Sequence, residues 1–290
     1  MTAILAIDLG GTRMRVGRAD GAELPDLIED APAPQDLADF TGRVRRLLTE
    51  HGATRLGIGV PGLTRGTVCS WIPNLGYLDG LDLAASFPGI EIGLGNDAQL
   101  ALLAEATAGA ANGLGDAILL SIGTGIGSAV LSGGRIVRGS RGGACSFGWA
   151  SADPADRGDP RQGWLERHAS GRALDAAAES LGLRNGVALI TAAQAGSEAA
   201  LRALRRPMHL LGTALAGAVG LLDPELIIVT GGVATAMDLL TPMILAGLRP
   251  QLPAHLQGIG IRAGAFGPRA GLIGAGIAGR RGGNWGTIDG

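Results

Sequence analysis

The feature that most constrains the fold of this 290-residue chain is a plan that occurs twice. Near the start, "LAIDLGGTRMRVG" is an apolar run that ends on Asp8, a bare Gly10-Gly11 turn, and a return of alternation. About a hundred residues later, "ILLSIGTGIGSAVL" repeats it around Gly123-Thr124-Gly125. Each copy reads as strand, glycine turn, return strand. The duplication lies in the plan and not in residue identity. With helices and further strands behind each copy, the inference is two α/β halves facing a cleft.

The spacing predicts strands at 4–8 and 13–18, a helix at 36–51, strands at 56–60 and 91–94, and a helix from 97 to about 110 capped by Asn96. In the second half it predicts strands at 117–122 and 127–131, then a long polar loop at 150–163. Helices come next at about 164–182, 185–195 and 198–222, strands at 226–230 and 259–263, and a small-residue helix at 270–278. The expected division is 1–112 with the helix at 269–280 returning to it, a larger domain at 113–268, and a flexible tail at 281–290.

Composition narrows the function classes. The chain is 46% apolar and 17% charged, which is globular and not disordered. A net charge of −2 gives no basic footprint for nucleic acid. Two cysteines, Cys69 and Cys145, make no disulfide framework and suit a cytoplasmic setting. The sequence shows no signal-peptide pattern and no membrane span; the apolar run from Met208 reads as a buried helix.

There is no lysine, so a Walker loop is excluded. "GTGIGS" is no dinucleotide fingerprint, because its third glycine arrives too early and a strand comes after it. No Gly-x-Ser-x-Gly elbow occurs.

Backbone N–H groups in a glycine turn form a concave anion site, and Thr12 and Thr124 add hydroxyl donors. Asp8 would repel a phosphate unless a cation such as magnesium intervenes. Either turn taken alone reads equally as an ordinary hairpin. In "GNDAQLALLAE", Asp97 opens a helix directly after a strand. The helix dipole is expected to hold its pKa low, leaving it a proton acceptor late in phosphoryl transfer. An ordinary acidic residue of a first helical turn is the other reading.

Six segments in order resemble the ROK family of sugar kinases, within the actin-like ATPase (ribonuclease H-like) superfamily. "IDLGGTRMRVG" resembles its first phosphate motif, and "GIGVPGLTRGTV" with "IPNLGYLDG" its sugar-side segment. "GNDAQLALLAE" resembles the catalytic segment, and "LSIGTGIGSAVLSGGRIVRGSRGGA" resembles the second phosphate motif and its C-terminal extension. "IIVTGGVA" resembles the adenosine motif and "GPRAGLIGAGIAG" the closing helix.

The resemblance implies a two-domain α/β fold and ATP with Mg2+. It implies Asp97 as general base on a sugar hydroxyl, with Asn74, Asn96, Gly143, Ser146, Trp149 and Glu166 on the sugar side. It implies Gly10, Gly11, Thr12, Gly123, Thr124 and Gly125 around the phosphates, Asp8 serving magnesium, and Gly231 and Gly232 against adenosine. Arg13 is one candidate for positive charge near the cleft. A homodimer is expected on the same ground.

One segment departs from the pattern. Where the family has Gly-Glu-x-Gly-His, this chain has "CSFGW", so Ser146 and Trp149 replace the glutamate and histidine. The loop "ASADPADRGDPRQGW" has no cysteine, and no structural zinc is expected. Trp149 is free to stack on a sugar face or to fill the space of the missing zinc loop. Glu166 sits where the family keeps its next glutamate; an exposed helix residue is the alternative. Which sugar is bound is thus left open, and the expected reaction is phosphorylation of a hexose or hexose derivative at a primary hydroxyl, C6. The alternatives are a sugar- or nucleotide-binding sensor without turnover, and a kinase using polyphosphate. With the first phosphate strand starting at residue 3 or 4, no DNA-binding module is expected before it.

Overall fold

Ile4, Leu5, Ala6, Ile7 and Leu9 are all buried, because β1 (Ala3–Leu9) is the middle strand of a five-stranded sheet. A computed structural model describes residues 2–21 and 23–288, in two units. Unit 1 holds 1–113, 134–145 and 269–290. Unit 2 holds 114–133 and 146–268.

In unit 1 the strand order is β3 (Asp26–Pro32), β2 (Arg13–Asp20), β1, β4 (Arg55–Val60), β7 (Glu91–Asn96). β2 runs antiparallel to β1 and β3, whereas β1, β4 and β7 are parallel. The carboxyl ends of those three strands therefore lie on one edge, where open α/β sheets bind ligands. A hairpin of β5 (Leu63–Arg65) and β6 (Val68–Trp71) comes after β4. Strand β3 and this hairpin lie in stretches where the periodicity predicts no strand.

Helix α1 (Leu37–Glu50) is capped by the Asp36 carboxylate and buries Phe40, Val44, Leu47 and Leu48. After the short α2 (Leu83–Ser86), α3 (Asp97–Ala108) packs with α9 (Ala270–Arg281). Helix α9 returns to the sheet at backbone contact. A Cβ on Gly57 would overlap the Ala275 carbonyl, and one on Gly274 would overlap the Leu100 carbonyl. This close approach is why the helix is built of small residues.

Two expectations are corrected here. Segment 134–145, with the short β10 (Arg135–Ile136), belongs to unit 1, where Arg135 bridges to Thr287. The tail after 280 is packed, not loose: Trp285 is 1% exposed and its Nε1 donates to the Leu94 carbonyl at 2.9 Å. The Arg138 guanidinium lies over the Trp285 ring, 4.7 Å from its centre. Of the tail, 289–290 lie outside the described residues.

In unit 2, β8 (Ala117–Ile122) pairs antiparallel with β9 (Ile126–Ser132) and parallel with β11 (Leu226–Gly231), and β11 pairs with β12 (Gly260–Ala263). The helices are α4 (Trp164–Ala169), α5 (Gly171–Glu179), α6 (Gly186–Gln194), α7 (Glu198–Leu222) and α8 (Met237–Leu248). The single helix expected at 164–182 is broken at Ser170, whose backbone is extended (ψ 172°). No helix among the described residues is long and apolar enough to cross a membrane.

Candidate functional site

Unit 1 gathers most of the residues expected around the sugar, the metal and the first phosphates. Asp8 closes β1, and Gly10 to Thr12 form the turn to β2, held by the Gly10 amide on the Arg13 carbonyl at 2.8 Å. Gly11 lies against Asn74: a Cβ there would stand 3.1 Å from the Asn74 Cβ. Asn96 and Asp97 sit at the same edge, at the end of β7 and the start of α3.

The Asn96 side chain is committed to the fold. Its Oδ1 accepts from the Ala98 and Gln99 amides at 3.0 and 3.3 Å, and its Nδ2 donates to the Gly62 carbonyl at 3.2 Å. It is an N-cap that fixes the direction in which α3 leaves the strand. Gly143 packs against Leu63 of β5, again within unit 1.

The electrostatics differ from the sequence expectation. Asp97 is raised to about 6, first by desolvation and then by the charge of Asp8. The Ala98 amide, 2.8 Å from Oδ1, pulls the other way without prevailing. The helix terminus does stabilise the carboxylate, but loss of water and a second carboxylate outweigh it. Asp8 is raised as well, by burial, opposed by Arg15. The Arg15 Nη1 lies 3.4 Å from the Asp8 Oδ2. Arg13, one of the candidate cations in the sequence, pairs with Asp30 at 2.9 Å. Arg15 was findable, since it stands opposite Asp8 in the β1–β2 register.

These residues fit magnesium in its usual manner, with one or two carboxylates and the rest of its shell from phosphates and water. Asp8 and Asp97 are close enough for their charges to interact. No group of three or more His, Cys, Asp or Glu side chains able to hold a metal occurs among the described residues.

Unit 2 brings the second glycine turn next to the segment expected at adenosine. Gly231 lies opposite Ile122 in the β11–β8 register, and the Gly232 amide donates to the Ile122 carbonyl at 3.0 Å. Gly231 has φ +87°, and a Cβ there would overlap the Ile122 carbonyl, so only glycine fits.

The turn is clamped from behind by the α4–α5 junction. The Gly171 amide donates to the Gly123 carbonyl at 2.7 Å and the Arg172 Nε to the Thr124 carbonyl at 3.3 Å. The Glu166 Oε1 accepts from the Ile126 amide at 2.9 Å. The Gly123 and Thr124 carbonyls are thus held by α5, while the Gly125 carbonyl accepts within the turn from the Gly123 amide at 3.0 Å. Gly171 and Arg172 are contributions that the sequence did not announce, because the break at Ser170 that aims them looks like ordinary helix.

Trp149 is 49% exposed, so it does not serve as core. Ser146 is exposed too. The polar loop at 150–163 is tied to α4 by a two-pronged ion pair, Arg167 to Asp156 at 2.7 and 3.1 Å.

Comparison with known proteins places these features in a family. The ROK family model matches residues 4–279. An N-acetylmannosamine kinase of Shigella boydii serotype 18 is 32% identical, over 94% of this chain and 97% of that one. A ROK hexokinase from Thermus thermophilus is 28% identical with a TM-score of 0.77, covering 95% of this chain and 97% of that one. A ROK family glucokinase from Streptomyces griseus, solved with glucose and AMPPNP, is 25% identical with a TM-score of 0.81. That match covers 97% of this chain and all (100%) of that one.

Proposed function

The chain belongs to the ROK family and is a sugar kinase, and we propose that it transfers the γ-phosphoryl group of ATP to the primary 6-hydroxyl of a hexose or hexose derivative. Its α/β fold is the actin-like ATPase fold of that family. The observation that carries the finer reading is the edge shared by β1, β4 and β7. It holds a proton acceptor, Asp97, beside a carboxylate, Asp8, and a bare turn, Gly10 to Thr12.

Phosphoryl transfer is mostly positioning and charge stabilisation. Asp97 takes the proton of the attacking hydroxyl as the new O–P bond forms and the bond to the β-phosphate oxygen breaks. A pKa near 6 keeps it ionised at neutral pH yet basic enough to hold that proton. The family resemblance gives the sugar-side role to Asn74, Asn96 and Gly143 of unit 1 and to Ser146, Trp149 and Glu166 of unit 2. The Asn96 amide retains one N–H beyond its bond to Gly62. Gly11 and Thr12 in unit 1 and Thr124 and Gly125 in unit 2 donate to phosphates, while Gly10 and Gly123, whose amides are taken by the Arg13 and Gly125 carbonyls, shape the two turns, and Gly231 and Gly232 leave room for adenosine. Asp8 would hold a magnesium ion brought with ATP, which would supply positive charge to the phosphates. The working form is a cytoplasmic homodimer.

The test is ADP release over a panel of hexoses, N-acetylhexosamines and their 6-deoxy analogues. The reading expects turnover on a parent sugar and none on its 6-deoxy analogue. Equal turnover on both would overturn the 6-hydroxyl assignment.

A further inference from the structure

Three neighbouring strands carry a row of charges of which the reaction as described uses only Asp8. Arg15 on β2 stands opposite Asp8 on β1 and also opposite Asp30 on β3. Side chains directly opposite on adjacent strands share a face. The one guanidinium is therefore shared: Nη1 lies 3.4 Å from Asp8 Oδ2 and Nε lies 3.7 Å from Asp30 Oδ2. Neither contact is as short as the 2.9 Å pair between Arg13 and Asp30. The charge of Asp8 also acts on Asp97.

We propose that Arg15 is a resident counter-ion for Asp8 that gives the carboxylate up to magnesium by moving onto Asp30. This rests on the reading of Asp8 as the magnesium-side carboxylate. A guanidinium and a dication compete for the same carboxylate charge, so the pair that steadies the metal-free site also raises the magnesium needed to fill it. Asp30 lowers that barrier, because it offers the displaced guanidinium a second carboxylate within a small rotation. Partly exposed pairs of this length are weak, which suits a contact that must break in each cycle.

The two partners of Arg15 make opposite predictions. The experiment is calorimetric titration of a non-hydrolysable ATP analogue at graded magnesium, which reads binding and not turnover. Arg15→Gln is expected to lower the half-saturating magnesium by about threefold. Asp30→Asn is expected to raise it by a similar factor, about threefold, because Arg15 then rests on Asp8 alone. Arg15→Lys keeps the charge and should stay near the parent value.

Shifts of the same sign, or none, overturn the counter-ion role while the magnesium site stands. Weaker binding by Arg15→Gln at saturating magnesium also overturns it, because Arg15 then holds phosphate. Nucleotide binding by the parent protein that ignores magnesium overturns the reading of Asp8, and the proposal with it.

Discussion

The Oε1 of Glu166 accepts a hydrogen bond from the Ile126 amide at 2.9 Å, so one carboxylate fixes the residue just after the second glycine turn. Gly125 and Gly148 press against the same side chain, and a Cβ on either would collide with it. Glu166 is thus a positioning residue for the second glycine turn, and under the proposed function its second oxygen is left for the sugar. Glu166→Gln preserves an acceptor for Ile126 and should keep the KM for ATP within about twofold while raising that for sugar. Glu166→Ala orphans the amide, costs about 1–3 kcal/mol of stability and should raise both KM values. A Glu166→Ala enzyme with an unchanged KM for ATP would remove the latch.

Asp97 gives a pH signature. With its carboxyl at about 6, kcat/KM should rise through pH 6 and level off above it. The stability effect has the opposite direction. The folded protein holds this proton to a higher pH than the unfolded chain, whose carboxyl titrates near 3.8. Between those values folding stability falls as pH rises. Asp97→Asn removes the penalty, so it should be more stable than the parent at pH 7.5, by up to about 3 kcal/mol, and equal to it near pH 4. Denaturant unfolding at the two pH values measures this.

Gly271 touches Asp8 from α9, where a Cβ would stand 2.9 Å from its Oδ1. Gly271→Ala should displace the carboxylate and lower turnover by about tenfold or more, with a raised magnesium requirement. Alanine favours a helix over glycine by about 0.5–1 kcal/mol, so Tm should change little. Loss of activity in step with loss of folded protein would refute the steric account.

Trp285 seals the far side of β7. Its ring meets Gly95, where a Cβ would fall 2.8 Å from Cζ2, two residues before Asp97. Trp285→Ala opens a cavity there and should cost about 3–5 kcal/mol. Thermal unfolding and kcat measured on the same sample should both fall, because the strand that presents Asp97 loses its backing.

The sequence made some elements plain and hid others for identifiable reasons. β1, β4, β8 and β11 are buried on both faces, so they read as apolar runs, and the glycines after them mark where the strands end. The cap at Asn96 is legible from its position between a strand and an alanine-leucine run. β3 is not legible, because this edge strand is exposed at Asp26, Leu27 and Ile28 in succession and so lacks the alternation of a half-buried one. The tail misleads because "RRGGNWG" is polar and glycine-rich, while its one anchor, Trp285, docks on a strand 191 residues away in sequence. The sign of the Asp97 shift depends on Asp8 and on burial, both of which arise only when β1 and β7 come to one edge. The role proposed for Arg15 is half legible: the β1–β2 hairpin sets it opposite Asp8, but Asp30 joins only through β3, which no local pattern supplies.

The central claim is that Asp97 removes the proton from a sugar hydroxyl during phosphoryl transfer from ATP. The most direct measurement is coupled ADP release across a sugar panel by the parent protein and by Asp97→Asn, with sugar and nucleotide binding measured on both. The account predicts sugar-dependent ADP release by the parent and a loss of about 100-fold or more in Asp97→Asn, with both ligands still bound. Turnover on any sugar that survives the substitution would contradict it, and so would a parent protein that binds sugar and nucleotide yet turns over none of the panel.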